Sequence, residues 1–140
     1  MANIQLRNAS YYFELHGKAP ALILIAGYTC DHSFWKPVLE DLSKKFQVLI
    51  FDNRGIGQTI DNNEDLTAEN LPNDVIELSK KLSLYKPNII GHSMGGTIAQ
   101  YVGANYSQEI NKLVLLHTTN KWRQSMLNGL GSLLSLRKKI

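Results

Sequence analysis

The 140-residue sequence is poor in several features that would place a protein in a narrow class. Cys30 is its one cysteine, so no internal disulfide can form. It has no apolar run of about 18 residues, the length that spans a membrane. Residues 1–7 lack the apolar core of a secretory signal peptide. These absences exclude a disulfide-built scaffold and predict a cytoplasmic protein without a membrane span.

The body of the chain also lacks a net positive charge. The formal net charge is +3, but residues 121–140 hold five basic residues and no acidic one, which leaves −2 for residues 1–120. A nucleic-acid-binding protein needs a basic face on its folded body. We therefore expect no nucleic-acid partner. The hydrophobic content of 44% is enough for the core of one domain.

Motifs for metals and dinucleotides are missing. The histidines at 16, 32, 92 and 117 do not fall at metal-ligand spacings, and a lone cysteine forms no cluster. No Gly-x-Gly-x-x-Gly follows the first buried strand, which argues against a dinucleotide-binding domain. We therefore expect neither a metal ion nor an organic cofactor.

Short apolar runs alternate with stretches of helical periodicity. The runs at 21–26, 46–51, 88–90 and 113–116 predict buried strands, and helices are predicted between them, the first capped by Ser33. This alternation predicts an α/β fold, a mostly parallel sheet with helices on both faces. Polar loops follow the strands at 27–32, 52–59 and 91–96, the side on which such sheets bind ligands.

The clearest motif is Gly-x-Ser-x-Gly at residues 91–95, centred on Ser93. A strand is predicted before it and a helix after it, the context in which this motif forms a sharp turn that exposes a nucleophilic serine. Without that context, the same five residues are a glycine-rich turn with an idle serine.

Three segments together resemble the α/β-hydrolase family, in its branch of esterases, lactonases and C–C-bond hydrolases. They are the loop at Gly27-Tyr28, the Asp-x-Arg-Gly-x-Gly-x-Thr loop at 52–59, and the turn at Ser93. The resemblance covers about residues 3–120. It implies an α/β-hydrolase fold truncated before its last strands, since a full domain of this kind needs about 200–250 residues. Residues 1–120 would be the N-terminal part of the core, and 121–140 the start of a lid.

The resemblance also implies roles for individual residues. Ser93 would attack a carbonyl carbon, and the backbone N–H groups of Tyr28 and Met94 would stabilise the oxyanion. Arg54 is expected in a buried ion pair rather than in catalysis. The implied substrates are small carboxylic esters, thioesters or lactones.

The catalytic histidine and acid are expected to be missing, because in the family they follow strands beyond 113–116. No Asp or Glu occurs after Glu109. His32 is predicted to line the pocket, with a makeshift base as a minor alternative. His92 is a possible pocket residue, but its side chain is expected to point away from the serine and to pack or hydrogen-bond elsewhere. His117 is predicted to form part of the pocket wall.

Two interpretations follow from the sequence. In the first, the chain is the N-terminal part of a serine hydrolase; in the second, it is a non-catalytic fragment or subunit that binds a partner chain. Residues 121–140 are predicted to begin a lid helix, with a basic amphipathic segment that contacts a membrane or another chain as the alternative. An uncovered strand at 113–116 would be an apolar sheet edge, through which a homodimer could form.

Overall fold

A computed structural model describes residues 2–62, 66–67 and 69–121, and the structural statements below concern these residues. The strands and helices alternate as the sequence pattern predicts. The strands are β1 (Ala2–Leu6), β2 (Ala9–His16), β3 (Ala21–Ile25), β4 (Gln47–Phe51), β5 (Ile60–Asp61), β6 (Asn88–His92) and β7 (Leu113–Leu116). The α-helices are α1 (Lys36–Ser43), α2 (Asn70–Lys81) and α3 (Met94–Asn105), and short 3-10 helices lie at His32–Trp35 and Ser107–Glu109.

One sheet contains all seven strands, in the order β1-β2-β4-β3-β6-β7, with β5 paired to β2. The four strands β4, β3, β6 and β7 are parallel, and the hairpin of β1 and β2 adds an antiparallel edge. The chain runs from β3 to β4 on one side and then crosses over to β6 on the other. The order of the strands therefore reverses at β3, the place where open α/β sheets bind ligands.

Successive side chains of the central strands enter two separate cores. Ile23 and Ile25 pack in the larger core with residues of α2 and α3. Leu22 and Leu24 pack in the smaller core, against which Leu39 of α1 also packs. Because neighbouring residues of a strand point to opposite faces, continuous apolar runs fit a sheet covered on both sides. The predicted α/β architecture is confirmed.

The first helix differs from the prediction in its cap and in its burial. The side chain of Asp31, not Ser33, caps the 3-10 helix, because the Asp31 carboxylate accepts a bond of 2.9 Å from the Ser33 N–H. Phe34 is 40% exposed and Val38 44% exposed. The apolar spacing therefore marks a helix correctly, but only part of its apolar face is buried.

Strand β7 lies at the end of the sheet and is less buried than predicted. Val114, Leu115 and Leu116 are 47%, 41% and 38% exposed, and no strand of the described chain lies on the outer side of β7. The expectation of a buried strand was wrong here, and the edge position is as predicted. The domain boundary at 120 stays a prediction, because the lid predicted from residue 121 lies outside the described residues beyond Lys121.

No helix in the described ranges is both long enough and apolar enough to cross a membrane.

Candidate active site

The turn between β6 and α3 holds Ser93 in a strained backbone conformation. Its φ is 55° and its ψ is −119°, a combination that non-glycine residues rarely adopt. The two glycines of the motif make the turn sterically feasible. A Cβ on Gly91 would lie 2.3 Å from the Gly95 carbonyl oxygen, and a Cβ on Gly95 would lie 2.1 Å from the Ile25 carbonyl oxygen. Strain of this kind at a polar residue is typical of functional sites.

The loop that follows β3 packs directly against this turn. Parallel pairing places Ile25 beside Gly91, so the residues after β3 run alongside Ser93. A Cβ on Gly27 would lie 3.1 Å from the Ser93 Cβ and 3.2 Å from the His92 carbonyl oxygen. A Cβ at this position would be more crowded than most, so the neighbouring atoms would have to shift by a few tenths of an ångström. Tyr28, next in the chain, is half-buried, and its side chain packs on the larger core.

Met94 is the first residue of α3, so its N–H lies among the first four of the helix, which have no partner within the helix. These groups carry the positive end of the helix dipole and favour negative charge nearby.

The Ser93 backbone is fixed from the β7 side. Its N–H donates to the Leu116 carbonyl oxygen at 3.0 Å, and its carbonyl accepts from the Thr118 hydroxyl at 2.7 Å.

Two of the predicted pocket histidines lie near one another but do not bond Ser93. The His92 ring packs on Phe34 with centroids 4.8 Å apart, and the His117 ring is 6.0 Å from His92. Within the described chain, His92 Nδ1 is buried without a hydrogen-bond partner, and His117 is exposed. No histidine of the described chain hydrogen-bonds the Ser93 hydroxyl.

His32 is held by two carboxylates. Its Nδ1 lies 2.8 Å from an oxygen of the buried Asp52, and its Nε2 lies 3.5 Å from Glu14. Its ring also packs on Tyr12, with centroids 4.7 Å apart. Both ring nitrogens therefore face carboxylates rather than the serine, and no hydrogen bond supports the alternative of a makeshift base.

The carboxylate of Glu14 is stabilised by its neighbours. The Tyr12 hydroxyl donates to it at 2.6 Å, and the His16 ring lies 2.8 Å from its other oxygen. The hydrogen bond from Tyr12 lowers the pKa of Glu14. Burial raises this pKa, and the hydrogen bond with His16 lowers it further. The same bond raises the pKa of Tyr12 to about 12. This network ties strand β2 to the loop that follows β3.

One group of residues has the atom types of a metal site. Ligand atoms of Asp31, His32 and Asp52 lie within 4.8 Å of one another. Asp52 already accepts from His32 and from the Gln58 N–H, and Asp31 accepts from the Ser33 N–H and hydroxyl. Hydrogen bonding accounts for this cluster without an ion.

Arg54 lies in a buried ion pair, as predicted. It is fully buried, and its Nε and Nη2 donate to the two oxygens of Asp74 at 2.5 and 3.2 Å. Asp74 also accepts from Arg7 and Tyr11. Burial would lower the pKa of Arg54, but the hydrogen bonds and the charge of Asp74 keep it above its usual value. Arg54 therefore braces the loop after β4 against α2.

Sequence reasoning missed the link between Asp52 and His32. A signal for it was available, because both residues follow neighbouring parallel strands and so emerge at the same edge of the sheet. The sequence does not state which side chains turn toward each other across that edge.

Comparisons with known proteins identify the family of the chain. A family model described as "alpha/beta hydrolase fold" matches residues 20–139. The chain is 31% identical over 117 residues to RutD of Agrobacterium fabrum, a protein named for a proposed carbamate hydrolase activity, covering 79% of this chain and 44% of that protein. It is 30% identical over 130 residues to 3-oxoadipate enol-lactonase 1 of Acinetobacter baylyi, covering 92% of this chain and 48% of the enzyme.

The fold is also similar to that of a solved structure. The enol-lactonase from Burkholderia xenovorans LB400 superposes with a TM-score of 0.83 at 28% identity, over 86% of this chain and 48% of that one. The chain belongs to the α/β-hydrolase fold family. It spans about half the length of the relatives it matches.

Proposed function

We propose that Ser93 is the nucleophile of a serine hydrolase that acts on small carboxylic esters, thioesters or lactones. The observation that carries the proposal is the Ser93 backbone, with φ of 55° between two glycines that tolerate no Cβ. A serine held in this geometry at the N-terminus of a helix has its hydroxyl raised from the sheet. The names of two relatives, an enol-lactonase and a proposed carbamate hydrolase, refer to a lactone and a carbamate, both of which contain a carbonyl carbon.

The proposed reaction proceeds through an acyl-enzyme. The Ser93 oxygen forms a bond to the substrate carbonyl carbon, its proton passes to a general base, and the carbonyl π electrons move to the oxygen. The N–H groups of Tyr28 and Met94 are proposed to donate to that oxyanion. The intermediate collapses as its bond to the alcohol or thiol breaks, and that group, which in a lactone stays tethered to the acyl chain, takes the proton. Water then adds its OH to the acyl carbon and returns a proton to the Ser93 oxygen, which releases the acid.

A second candidate is a non-catalytic chain that binds a partner. Its support is the absence of a hydrogen bond from any histidine to Ser93 in the described ranges, together with the lack of acidic residues after Glu109. In the hydrolase proposal, the base and its acid come from residues outside these 140. The chain alone is then expected to keep no more than about 10³–10⁴-fold acceleration over water.

Acylation by an activated ester separates the two candidates. The 140-residue chain is incubated with p-nitrophenyl acetate and its intact mass is followed. The hydrolase proposal predicts slow acetylation of Ser93 and a persistent adduct, because no histidine activates water for release. Ser93→Ala should remove the adduct. Ser33→Ala, which changes an exposed serine away from the proposed site, is the control and should keep it. A folded chain that is never acylated would favour the non-catalytic candidate.

Rapid turnover would refute one part of the proposal. If Ser93→Ala abolished a steady esterase activity of this chain, the nucleophile would stand, but the base would have to lie within the 140 residues.

The cytoplasmic location is likewise a proposal, supported by the single cysteine.

A further inference from the structure

Asp52 is a fully buried carboxylate at the carboxyl end of β4. One of its oxygens accepts from the His32 backbone N–H at 2.6 Å and faces His32 Nδ1 at 2.8 Å. The other accepts from the Gln58 N–H at 2.8 Å. No lysine or arginine pairs with it in the part of the chain described. A buried carboxylate needs such donors to remain charged, and two of the three belong to the loop after β3.

The next residue holds the opposite end of the same loop. Asn53 Nδ2 donates to the Ala26 carbonyl oxygen at 3.3 Å. Between these two anchors the loop folds back on itself, with a bond of 3.2 Å from the Cys30 N–H to the Gly27 oxygen. Two consecutive residues after β4 therefore fix both ends of the segment that packs against Ser93.

The fit around Asp52 is close on its far side as well. Gly57 has a φ of +54°, and a Cβ there would lie 2.1 Å from an Asp52 carboxylate oxygen. The His32 ring is held in turn by Tyr12 and Glu14 of β2. The carboxylate therefore has little freedom to shift, and replacing it acts on the loop through His32.

We infer that Asp52 is a positioning residue that holds the 27–32 loop, and with it the Tyr28 N–H, against Ser93 by binding His32. The part of this inference that concerns the oxyanion rests on the proposed function; the part that concerns the loop does not. In Asp52→Asn, one acceptor oxygen becomes an amide that faces an N–H donor. The loop should lose its hydrogen bonds to a carboxylate, which are stronger than those to a neutral amide.

Amide hydrogen exchange of the 140-residue chain tests the loop directly. In Asp52→Asn, exchange of peptides that cover residues 27–32 should rise about tenfold or more, the factor for about 1.4 kcal/mol. Exchange in α3 should stay unchanged. Asp61→Asn, which alters a carboxylate on Arg54 away from this loop, is the matched control and should leave the 27–32 peptides as they are. If Asp52→Asn does not fold, His32→Asn should give the same local rise.

A second measurement follows the rate at which a fluorophosphonate modifies Ser93. In Asp52→Asn, the maximal rate of modification should fall about tenfold or more, while the probe concentration at half-maximal rate changes little, because oxyanion donors act on the transition state. If the loop loosens but the parent chain is never modified, the positioning role stands and the proposed function fails. Unchanged exchange at 27–32, or an equal rise throughout the chain, would overturn the inference.

Discussion

At the scale of single residues, Ser93 determines what its neighbours must be. A non-glycine residue with a φ of 55° and a ψ of −119° costs on the order of 1–3 kcal/mol, which the surrounding structure has to offset. The strand pairing of β6 and the bond from Thr118 to the Ser93 carbonyl supply part of that support. The glycines around the turn leave room for the main chain of β3 and α3.

Substitution of Gly95 tests the steric part of this account. Gly95→Ala should lower the free energy of unfolding by about 1–3 kcal/mol or more, because the new Cβ would collide with the Ile25 main chain at 2.1 Å. Gly103→Ala is the matched control in the same helix, since its Cβ would meet the movable end of the Leu113 side chain. Urea unfolding measures both, and equal losses in the two variants would contradict the account.

The lowered pKa of Glu14 predicts how stability depends on pH. Its hydrogen bond from Tyr12 favours the charged form, so its contribution is present above the unfolded value of about 4.3 and is lost as the pH falls through the lower folded value. At pH 7, Glu14→Gln should lower the free energy of unfolding by about 1–2 kcal/mol. Urea unfolding at pH 7 and pH 3 should show this difference shrinking in acid.

Glu40→Gln is the control for that series, because the Glu40 side chain is 91% exposed. It should change little at either pH. A loss in Glu14→Gln that is as large at pH 3 as at pH 7 would mean that the carboxylate charge is not what stabilises the network.

The sequence predicts the sharp turn at Ser93, but it does not predict the contacts among His32, Asp52 and Glu14. A five-residue motif between a strand and a helix carries the serine, since the turn geometry is local. His32 and Asp52 are 20 residues apart, and Glu14 comes from an antiparallel strand on the other side of β4. Contacts of this kind depend on strand order and side-chain direction, which no local pattern contains.

At the scale of elements, periodicity located each predicted strand and helix within the described residues. It was less informative about burial. The apolar face of α1 and the run of β7 have the same composition as buried segments, yet Val38 and Val114 are about half exposed. The burial of an apolar face depends on whether another helix or strand packs against it, and the periodicity of the segment does not contain that information. The loop at 52–59 joins two other elements, with Arg54 bound to α2 and Asp52 to the β3 loop. The resemblance implied the buried ion pair of Arg54 but not the bond of Asp52.

At the scale of the whole molecule, the uncovered edge at β7 has consequences for assembly. It carries three exposed aliphatic side chains, and its outer backbone groups face no strand of the described chain. We predict that the 140-residue chain self-associates by antiparallel pairing of two β7 edges. Light scattering should detect a dimer, and Leu115→Lys should shift the population to monomer. A monodisperse monomer for the parent chain would contradict this prediction.

The relatives that the chain matches are about twice its length, so the activity of a whole protein remains a proposal. What the chain itself contains is the strained serine, the helix N-terminus behind it and the braced loop beside it. These groups fit the proposed attack on a carbonyl carbon.

The most direct measurement is covalent labelling of the purified chain by a fluorophosphonate, read by intact mass and by the site of modification, with Ser93→Ala as control. We expect modification at Ser93, slow because no histidine bonds its hydroxyl in the part of the chain that the structure describes, and none in Ser93→Ala. A folded chain that is not modified, or one modified equally in Ser93→Ala, would contradict the claim that Ser93 is a nucleophile.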